Sequence, residues 1–412
     1  MDPKEEIEAA VHRSGKTPTD REARPLAGLV VLDFAQFLAG PSCALRLADL
    51  GADVIKIERP QGGDLCRQLY VADQALDGDS ALFHTINRNK RSLTADLKNA
   101  GDLAVVKQLI ARADVMIHNF RPGVMERLGL GYDAVSAINS RIVYGAVTGY
   151  GASGPWKDKP GQDLLVQSLS GLAWLSGNAS QGPVPMGVSV VDIMTGAHLV
   201  QGILAALVGR GVTGKGARLD VNLMTSALDI QFEAFTTYLN SGAGQPRRSG
   251  VNSASVHAAA PYGIYATADG YIALAMTPIG GLAELLGCEA LQAYADKSKW
   301  FSDRDEIKSI LAEFLLARPT AEWLGILEPA DIWCAAVFDW PHLQSHAAFV
   351  ALDAVQEVVS AGGEKLKTTR CPIQINGETL KSSRGAPRLG QHTTEILGEF
   401  GLAPDRAEGR PG

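Results

Sequence analysis

Asp192 stands where the hydropathy pattern of the chain changes, and its carboxylate is the first candidate for chemistry. The β-branched residues 188–191 predict the end of an extended segment, and residues 193–210 are apolar on nearly every face, which predicts a long buried helix. A carboxylate at that junction commonly serves as a helix N-cap. The amides and the dipole of a helix N-terminus also keep a carboxylate ionised, as a carboxylate nucleophile requires. The position therefore fits a cap, a nucleophile or both.

Basic side chains form the second group of candidates, because they follow successive predicted strands. Residues 26–33 and 53–58 are aliphatic runs typical of buried parallel strands, with helical periodicity between them. This β-α-β pattern continues more weakly downstream and predicts a doubly wound α/β sheet, whose ligands bind at the carboxyl ends of the strands. Any one of these cations also fits surface charge, but together they suit a nucleotide diphosphate or a phosphorylated adenosine. They are Arg59, Lys90, Arg91, Lys98, Arg121 and Arg127.

A second pattern begins after residue 253 and predicts a separate, smaller α+β domain at 254–327. Residues 262–276 read as two strands joined through Ala268-Asp269-Gly270, a hairpin signal, and helical segments follow to about residue 327. Residues 240–256 are rich in Gly, Ser and Asn, as in linkers or mobile loops. The predicted organisation is a flexible arm at 1–24, a large domain at 25–239 plus 341–412, and linkers at 240–253 and 328–340.

Length and charge restrict the class of protein. A chain of 412 residues is long enough for two domains. A net charge of -7 argues against a nucleic-acid partner. The five cysteines are scattered singly, as in a reducing compartment, and the charged N-terminal residues do not resemble a signal peptide. We expect a cytoplasmic protein without a membrane span.

Two glycine-rich segments imitate phosphate-binding loops. Residues 149–154, GYGASG, follow a predicted strand, but residues 155–160 read as a loop where a dinucleotide fingerprint needs a helix. Residues 209–216, GRGVTGKG, run from helix to strand, the reverse of a Walker A loop. The alternative hypothesis of a nicotinamide-dependent oxidoreductase is therefore supported by the GYGASG segment alone. His342 and His346 have no third ligand nearby in sequence, so no metal site is predicted.

Eight segments in order resemble the family III CoA-transferases, a group that includes formyl-CoA transferase, carnitine CoA-transferase and α-methylacyl-CoA racemase. The resemblance covers residues 26–402. The segments are LAGLVVLDFAQFLAGP, LGADVIKIERPQGGD, NRNKRSLTADLK, DVMIHNFRPGVMERLGLGYD, VTGYGASGP, VVDIMTGAHLVQGILAAL, TGKGARLDVNL and APRLGQHTTEIL.

The resemblance implies a fold, a partner and a set of site residues. The fold is a Rossmann-like large domain built from both ends of the chain, with a smaller domain, in an interlocked homodimer. Asp192 matches the catalytic aspartate, which moves CoA between an acyl-CoA and a small (di)carboxylic acid through aspartyl anhydride and aspartyl-CoA thioester intermediates. CoA enters as a substrate, and no permanently bound cofactor or metal is implied. The CoA-binding positions are Arg59, Lys98, Asn119, Phe120 and Arg127, and the substrate-pocket positions are Gln36, Leu38, Tyr150, Gly151 and Gln162.

Departures from the family pattern separate the alternatives. Racemases carry a His that acts as an acid/base group where this chain has Gln162, whose amide cannot exchange a proton in that role. Oxalate-using transferases carry a Gln at the position of Leu38 and a run of glycines at 254–260, both of which are missing here. These features favour a transferase that does not use oxalate. A racemase or epimerase is the first alternative, and a CoA-binding protein without catalysis, with Asp192 only a cap, is the second.

Overall fold

Six parallel strands form the main sheet of the computed structural model, which describes residues 24–69, 75–242 and 244–402. In chain order the strands are β1 (Val30–Asp33), β2 (Asp53–Glu58), β3 (Arg91–Thr94), β4 (Val115–His118), β5 (Val143–Thr148) and β6 (Ala217–Asn222). Their spatial order is β3-β2-β1-β4-β5-β6, which is the Rossmann order with its reversal between β1 and β4. The predicted parallel α/β sheet is confirmed. Apart from Arg24, the predicted arm at 1–24 lies outside the described residues.

Helices cover both faces of this sheet. On one face, the helices Ala39–Asp49 and Val190–Thr213 pack around Cys43, Leu47 and Leu199. On the other face, the helices Ala100–Ile110 and Thr393–Glu399 pack around Leu109 and Ile396. The helices are α1 (Ala39–Asp49), α2 (Ala81–Asn87), α3 (Ala100–Ile110), α4 (Val124–Arg127), α5 (Tyr132–Ile138), α6 (Asp163–Leu169), α7 (Val190–Thr213), α8 (Leu223–Ile230), α9 (Phe232–Ser241), α10 (Ile279–Leu286), α11 (Lys299–Ser302), α12 (Arg304–Leu315), α13 (Thr320–Leu327), α14 (Trp340–Ser345), α15 (Ala347–Ala351) and α16 (Thr393–Glu399).

The described chain divides into two compact units. The first contains the residues up to Gly161, Asp192–Ser226 and the residues from Asp353 onward, and the second contains Gln162–Val191 and Ala227–Leu352. The C-terminal residues thus return to the first unit, where the Arg91 guanidinium on β3 binds Glu395 and Glu399 of α16. These units differ from the predicted domains, which assigned 162–191, 227–239 and 341–352 to the large domain.

The second unit has its own sheet and core. Strands β7 (Gly263–Ala266) and β8 (Tyr271–Leu274) form the predicted antiparallel hairpin, and β9 (Cys334–Ala336) pairs with β8 on its other side. Helices α10, α12 and α13 pack on this sheet around Tyr265, Leu311 and Trp323. The predicted linker at 328–340 therefore contains a strand, which is too short to show a clear alternation in sequence. A further hairpin in the first unit joins β10 (Val355–Val359) to β11 (Lys365–Thr369).

The segment 240–253 is not a free linker. Helix α9 extends through Ser241, and the guanidinium of the buried Arg248 donates to the carbonyls of Ser176, Gln181 and Gly182. Polar composition predicted a linker here, but Arg248 gives this segment partners that lie about 70 residues away. The segment is therefore part of the second unit.

Helix α7 begins earlier and is less buried than its sequence predicts. It starts at Val190, so that Asp192 is the third residue of its first turn and not its N-cap. Its length and apolar composition would suffice to cross a membrane, yet one face packs on the sheet of the first unit. The opposite face is open, with Val208 74% and Val212 88% exposed. The prediction of a helix buried all round is therefore wrong for the single chain.

Candidate active site

A cavity of about 410 Å³ lies at the carboxyl ends of β1, β2, β3 and β4. Its position beside the reversal in strand order is where doubly wound sheets bind ligands. Four of the residues predicted for the site line it together, although they come from four different connections. They are Gln36, Arg59, Lys98 and Phe120.

Cations at this edge are available to an anionic ligand. Arg59 and Lys98 are exposed, and the Nε atom of Arg59 donates to the carbonyl of Gly63 at 3.0 Å, which orients the guanidinium. Arg127 is exposed on α4, the helix that follows β4. Within the described residues, none of these three side chains is paired with a carboxylate. Such cations suit phosphate groups, which each accept several charge-assisted hydrogen bonds.

Side chains from β1 and β2 fix the start of the connection between β1 and α1, residues 34–38, which we call the first loop. The Ala35 amide donates to Asp33 Oδ1 at 3.0 Å, and the Ala35 carbonyl accepts from Lys56 Nζ at 2.7 Å. Further along, the Phe37 amide donates to Asp64 Oδ1 at 3.2 Å. These three hydrogen bonds restrain the first loop.

Asn119 also holds the first loop. Its Oδ1 accepts from the Gln36 amide at 2.8 Å, and its Nδ2 donates to the Gln36 carbonyl at 2.6 Å. Both ends of the Asn119 amide are thus used on the backbone of a residue that lines the cavity. The sequence predicted a direct contact between Asn119 and CoA; in the structure its clearest role is to position Gln36.

Buried ion pairs lie at the base of the cavity. Glu58 binds Arg67 through both carboxylate oxygens at 2.8 Å and also accepts from Ser92 Oγ at 2.6 Å. Burial alone would raise the pKa of Glu58, but Arg67 and Lys56 outweigh it and hold the pKa below its usual value. Burial would likewise lower the pKa of Lys56, yet the carboxylates around it raise this pKa. These groups therefore stay charged, and their ion pairs stabilise the shape of the cavity.

Helix α7 brings Asp192 to the same edge of the sheet. Arg210 near its C-terminus binds Asp114, which immediately precedes β4, with a 2.9 Å ion pair. Because that end lies at the amino edge of the sheet, the first turn lies at the carboxyl edge. Gly196 is on the same helix face as Asp192 and packs so closely on α1 that an added Cβ would lie 2.7 Å from the Ala39 carbonyl. Asp192 therefore projects from the helix face that packs on the start of α1, directly after the first loop.

The glycine-rich segment 149–154 forms a closed loop after β5 and opens no helix. The Tyr150 hydroxyl donates to the Pro160 carbonyl at 3.3 Å, and the Tyr150 ring meets Trp156 edge-on. Gly151 has a φ of +89°, which favours glycine. The structure thus agrees with the rejection of a dinucleotide fingerprint. The roles of Tyr150 and Gly151 in a substrate pocket stay predictions.

Leu38 and Gln162 are the two remaining residues predicted for the substrate pocket. Gln162 belongs to the second unit. Leu38 is half-buried and packs on the cluster that contains Cys66, Phe83 and Ile86. Gln162 occupies the N-cap position of α6, is exposed and makes no capping hydrogen bond with its side chain. Its amide is therefore not used as a helix cap.

Sequence reasoning missed the charged residues that build the cavity from below, namely Lys56, Glu58 and Asp64. A signal was present, because Lys and Glu inside an apolar parallel strand are seldom buried unless they are paired. The pairing partner of Lys56 follows eight residues later, across a Gly-Gly turn.

Known proteins resemble this chain both in sequence and in fold. The model for "CoA-transferase family III" matches residues 26–393. The chain belongs to CoA-transferase family III. Transfer of CoA between an acyl-CoA and a carboxylic acid is therefore its activity.

Individual relatives are similar over nearly their whole length. A succinate–glutarate CoA-transferase of Agrobacterium fabrum is 32% identical over 394 residues, which are 91% of this chain and 96% of that protein. An acetyl-CoA:oxalate CoA-transferase of Acetobacter aceti is 31% identical over 92% of this chain and 97% of its own. The crystal structure of a CAIB/BAIF family protein from Brucella suis superposes with a TM-score of 0.79 at 30% identity, covering 92% and 99% of the two chains.

Proposed function

We propose that this CoA-transferase works through a covalent intermediate on Asp192. The observation that carries the proposal is the placement of this carboxylate in the first turn of α7, at the same sheet edge as the cavity. The amides and dipole of that turn favour an ionised carboxylate. The tight contact at Gly196 fixes the turn, so the nucleophile sits on a rigid element.

The reaction proceeds by four exchanges at acyl carbons. An Asp192 oxygen attacks the thioester carbonyl, the C–S bond breaks, and CoA leaves as a thiolate from an aspartyl mixed anhydride. The thiolate attacks the aspartyl carbonyl and releases the donor acid, leaving an aspartyl-CoA thioester. The acceptor carboxylate then displaces CoA to form a second anhydride. CoA thiolate finally attacks the acceptor carbonyl, which gives the new acyl-CoA and restores the Asp192 carboxylate.

The cavity is proposed to hold the nucleotide end of CoA. Its phosphates need cations; Arg59 and Lys98 line the cavity, and Arg127 lies on α4, the helix that follows β4. Phe120 offers an aromatic wall, and its ring stacks on His118 with centroids 6.3 Å apart. Burial lowers the pKa of His118 to about 4, so this wall is uncharged at neutral pH.

The proposed acids are small dicarboxylates, with succinyl-CoA as a donor. The similarity to the Agrobacterium succinate–glutarate enzyme supports this choice. Leu38 carries no amide to bind oxalate and is half-buried against an apolar cluster, which argues against oxalate. The Gln162 amide does not ionise at accessible pH and so cannot serve as an acid/base group, which argues against racemisation.

A homodimer is proposed for the active form, interlocked as in the family that the sequence resembles. Helix α7 exposes Val208 and Val212, and α9 has no buried residue although Phe232 and Leu239 are apolar. Apolar helix faces of this extent are typical of protein–protein interfaces. A second copy of the chain would remove these faces from water.

Asp192→Asn and Asp192→Ala should abolish transfer while the protein still folds. Asp192 is not the N-cap, and a carboxylate in a first turn contributes only about 0.3 to 1 kcal/mol to stability. Wild type incubated with succinyl-CoA and hydroxylamine should yield a hydroxamate at residue 192, detected by peptide mass; free CoA with hydroxylamine is the control and should give none. A near-normal rate in the Ala variant, or an unmarked Asp192, would refute the covalent mechanism.

A further inference from the structure

Phe37 has an unusual backbone conformation at the edge of the cavity. Its φ is +61°, in the left-handed region, and its side chain is 44% exposed. For a bulky residue this conformation costs on the order of 1 to 3 kcal/mol and persists only when its surroundings impose it. The first loop, which contains Phe37, also contains Gln36, a residue that lines the cavity.

Asp64 holds Phe37 in this conformation. Asp64 Oδ1 accepts from the Phe37 amide at 3.2 Å and from the Cys66 amide at 2.9 Å. Asp64 Oδ2 lies 2.8 Å from Lys56 Nζ, and both side chains are 1% exposed. Lys56 also donates to the Ala35 carbonyl, so a single buried ion pair fixes the first loop at two points.

The backbone of Asp64 is also held in place. The Asp64 amide donates to Glu58 Oε1 at 3.0 Å. Gly63 allows this approach, because a Cβ there would lie 2.7 Å from Glu58 Oε1 and 2.9 Å from Arg67 Nε. Asp64 can therefore transmit the rigid geometry of β2 to the first loop.

We propose that Asp64 is a positioning residue for acyl-CoA: it keeps the strained first loop in the conformation that forms one wall of the CoA cavity. This inference rests on the proposed function, because it takes CoA as the ligand of the cavity. Asp64 need not touch CoA for this role, since it acts through the Phe37 amide and through Lys56.

The test is a double-mutant cycle between Asp64→Asn and Phe37→Gly, read as the Kd for CoA in titration calorimetry and the KM for each substrate. Asp64→Asn replaces the anion beside Lys56 with a neutral amide, and it should weaken CoA binding about tenfold, or about 1.4 kcal/mol. The KM for the acceptor acid should not change. In the Phe37→Gly background the same change should cost less than about threefold, because glycine adopts a positive φ without strain.

Asp79→Asn is the matched control. Asp79 pairs with Arg67 in the same unit but makes no bond to the first loop, so this variant should keep the wild-type split between the two KM values. Equal effects of Asp64→Asn in both backgrounds, or a parallel rise of both KM values, would overturn the inference.

A second pair of variants keeps Asp64 and so tests the inference even if Asp64→Asn does not fold. Phe37→Asn should bind CoA more tightly than Phe37→Val, because asparagine tolerates the left-handed region and a β-branched residue does not. Equal affinity of the two would also overturn the inference. Arg59→Ala tests the ligand assignment separately: if wild type and this variant bind CoA equally, CoA does not occupy the cavity as proposed, and this inference fails with it.

Discussion

Gln162 is the residue that separates CoA transfer from exchange of the substrate α-proton. It lies in extended backbone at the start of α6, and its side chain is exposed and makes no capping bond. Racemisation at an α-carbon needs one group to remove the proton and another to return it on the opposite face. A primary amide ionises in neither direction at accessible pH, so it can only donate or accept hydrogen bonds.

With a chiral 2-methylacyl-CoA in deuterium oxide, we expect no deuterium at the α-carbon while acyl exchange with added succinate proceeds. Mass spectrometry of the recovered thioester measures both events in one sample. A denatured-enzyme blank corrects for spontaneous exchange.

Rapid α-deuteration without an acceptor acid would instead reveal a base other than Gln162. His84, His118 and His198 are the first to substitute. His84 Nε2 already bonds the Leu76 carbonyl, His198 Nδ1 bonds Ser226 Oγ, and burial holds the pKa of His118 at about 4. A hydrogen bond occupies one ring nitrogen of His84 and one of His198, and the low pKa of His118 makes it a weak base.

At the residue scale, the sequence predicted part of the cavity lining but not the buried charged residues that support it. Arg59 and Lys98 were predicted from strand ends that follow from hydropathy, whereas Gln36 and Phe120 were predicted from the family resemblance; all four line the cavity. The bond from Asp64 to Phe37 could not be predicted, because it joins two connections that only the folded sheet brings together. Burial of charge depends on such tertiary pairing, which a local pattern does not contain.

Helix α7 shows what hydropathy predicts at the scale of an element. Its existence followed from a long apolar stretch, but its start was predicted at residue 193 and lies at Val190. The β-branched residues before Asp192 favoured an extended segment, and packing on the sheet overrode that weak preference. An apolar composition also cannot tell which face meets the chain's own sheet and which meets another surface. Composition therefore did not predict that the face with Val208 and Val212 is exposed.

Gly196→Ala should displace the first turn of α7 and reduce kcat by tenfold or more, since small displacements of a nucleophile have large effects. The added methyl would lie 2.1 Å from Ser42 Oγ and 2.7 Å from the Ala39 carbonyl, and overpacking of this kind costs about 1 to 3 kcal/mol. Gly398→Ala on α16 of the same unit is the control, because nothing lies within 4 Å of its new methyl. The control should keep full activity and gain up to about 1 kcal/mol in stability. Urea midpoints and kcat measure both variants, and equal behaviour would show that the α7–α1 contact does not set the site.

At the scale of the whole molecule, we expect light scattering to give about twice 43.6 kDa. Replacing Val208 and Val212 together with Lys should shift the protein toward the monomer, because two charges would then have to be buried at the interface. Lys near a helix C-terminus is favourable in itself, so the fold should survive.

Ile138→Lys is the matched control for this pair. Ile138 is 37% exposed at the end of α5, and single exposed apolar side chains commonly need no partner. It should leave the mass unchanged. A wild-type mass of 43.6 kDa, or a double variant that stays at twice this value, would contradict a dimer formed through α7.

The return of the C-terminal residues to the first unit also bears on how the chain is made. The ion pair between Arg91 and Glu395 joins residues 304 positions apart, and Ile396 and Leu397 fill the same core as Leu109 of α3. The ribosome must therefore have translated residue 399 before Arg91 on β3 can bind both Glu395 and Glu399 of α16. Until then the nascent strands keep apolar surface exposed, a state that invites aggregation and that chaperones protect. Closure of this unit is consequently a late step, with the slow kinetics that long sequence separation brings.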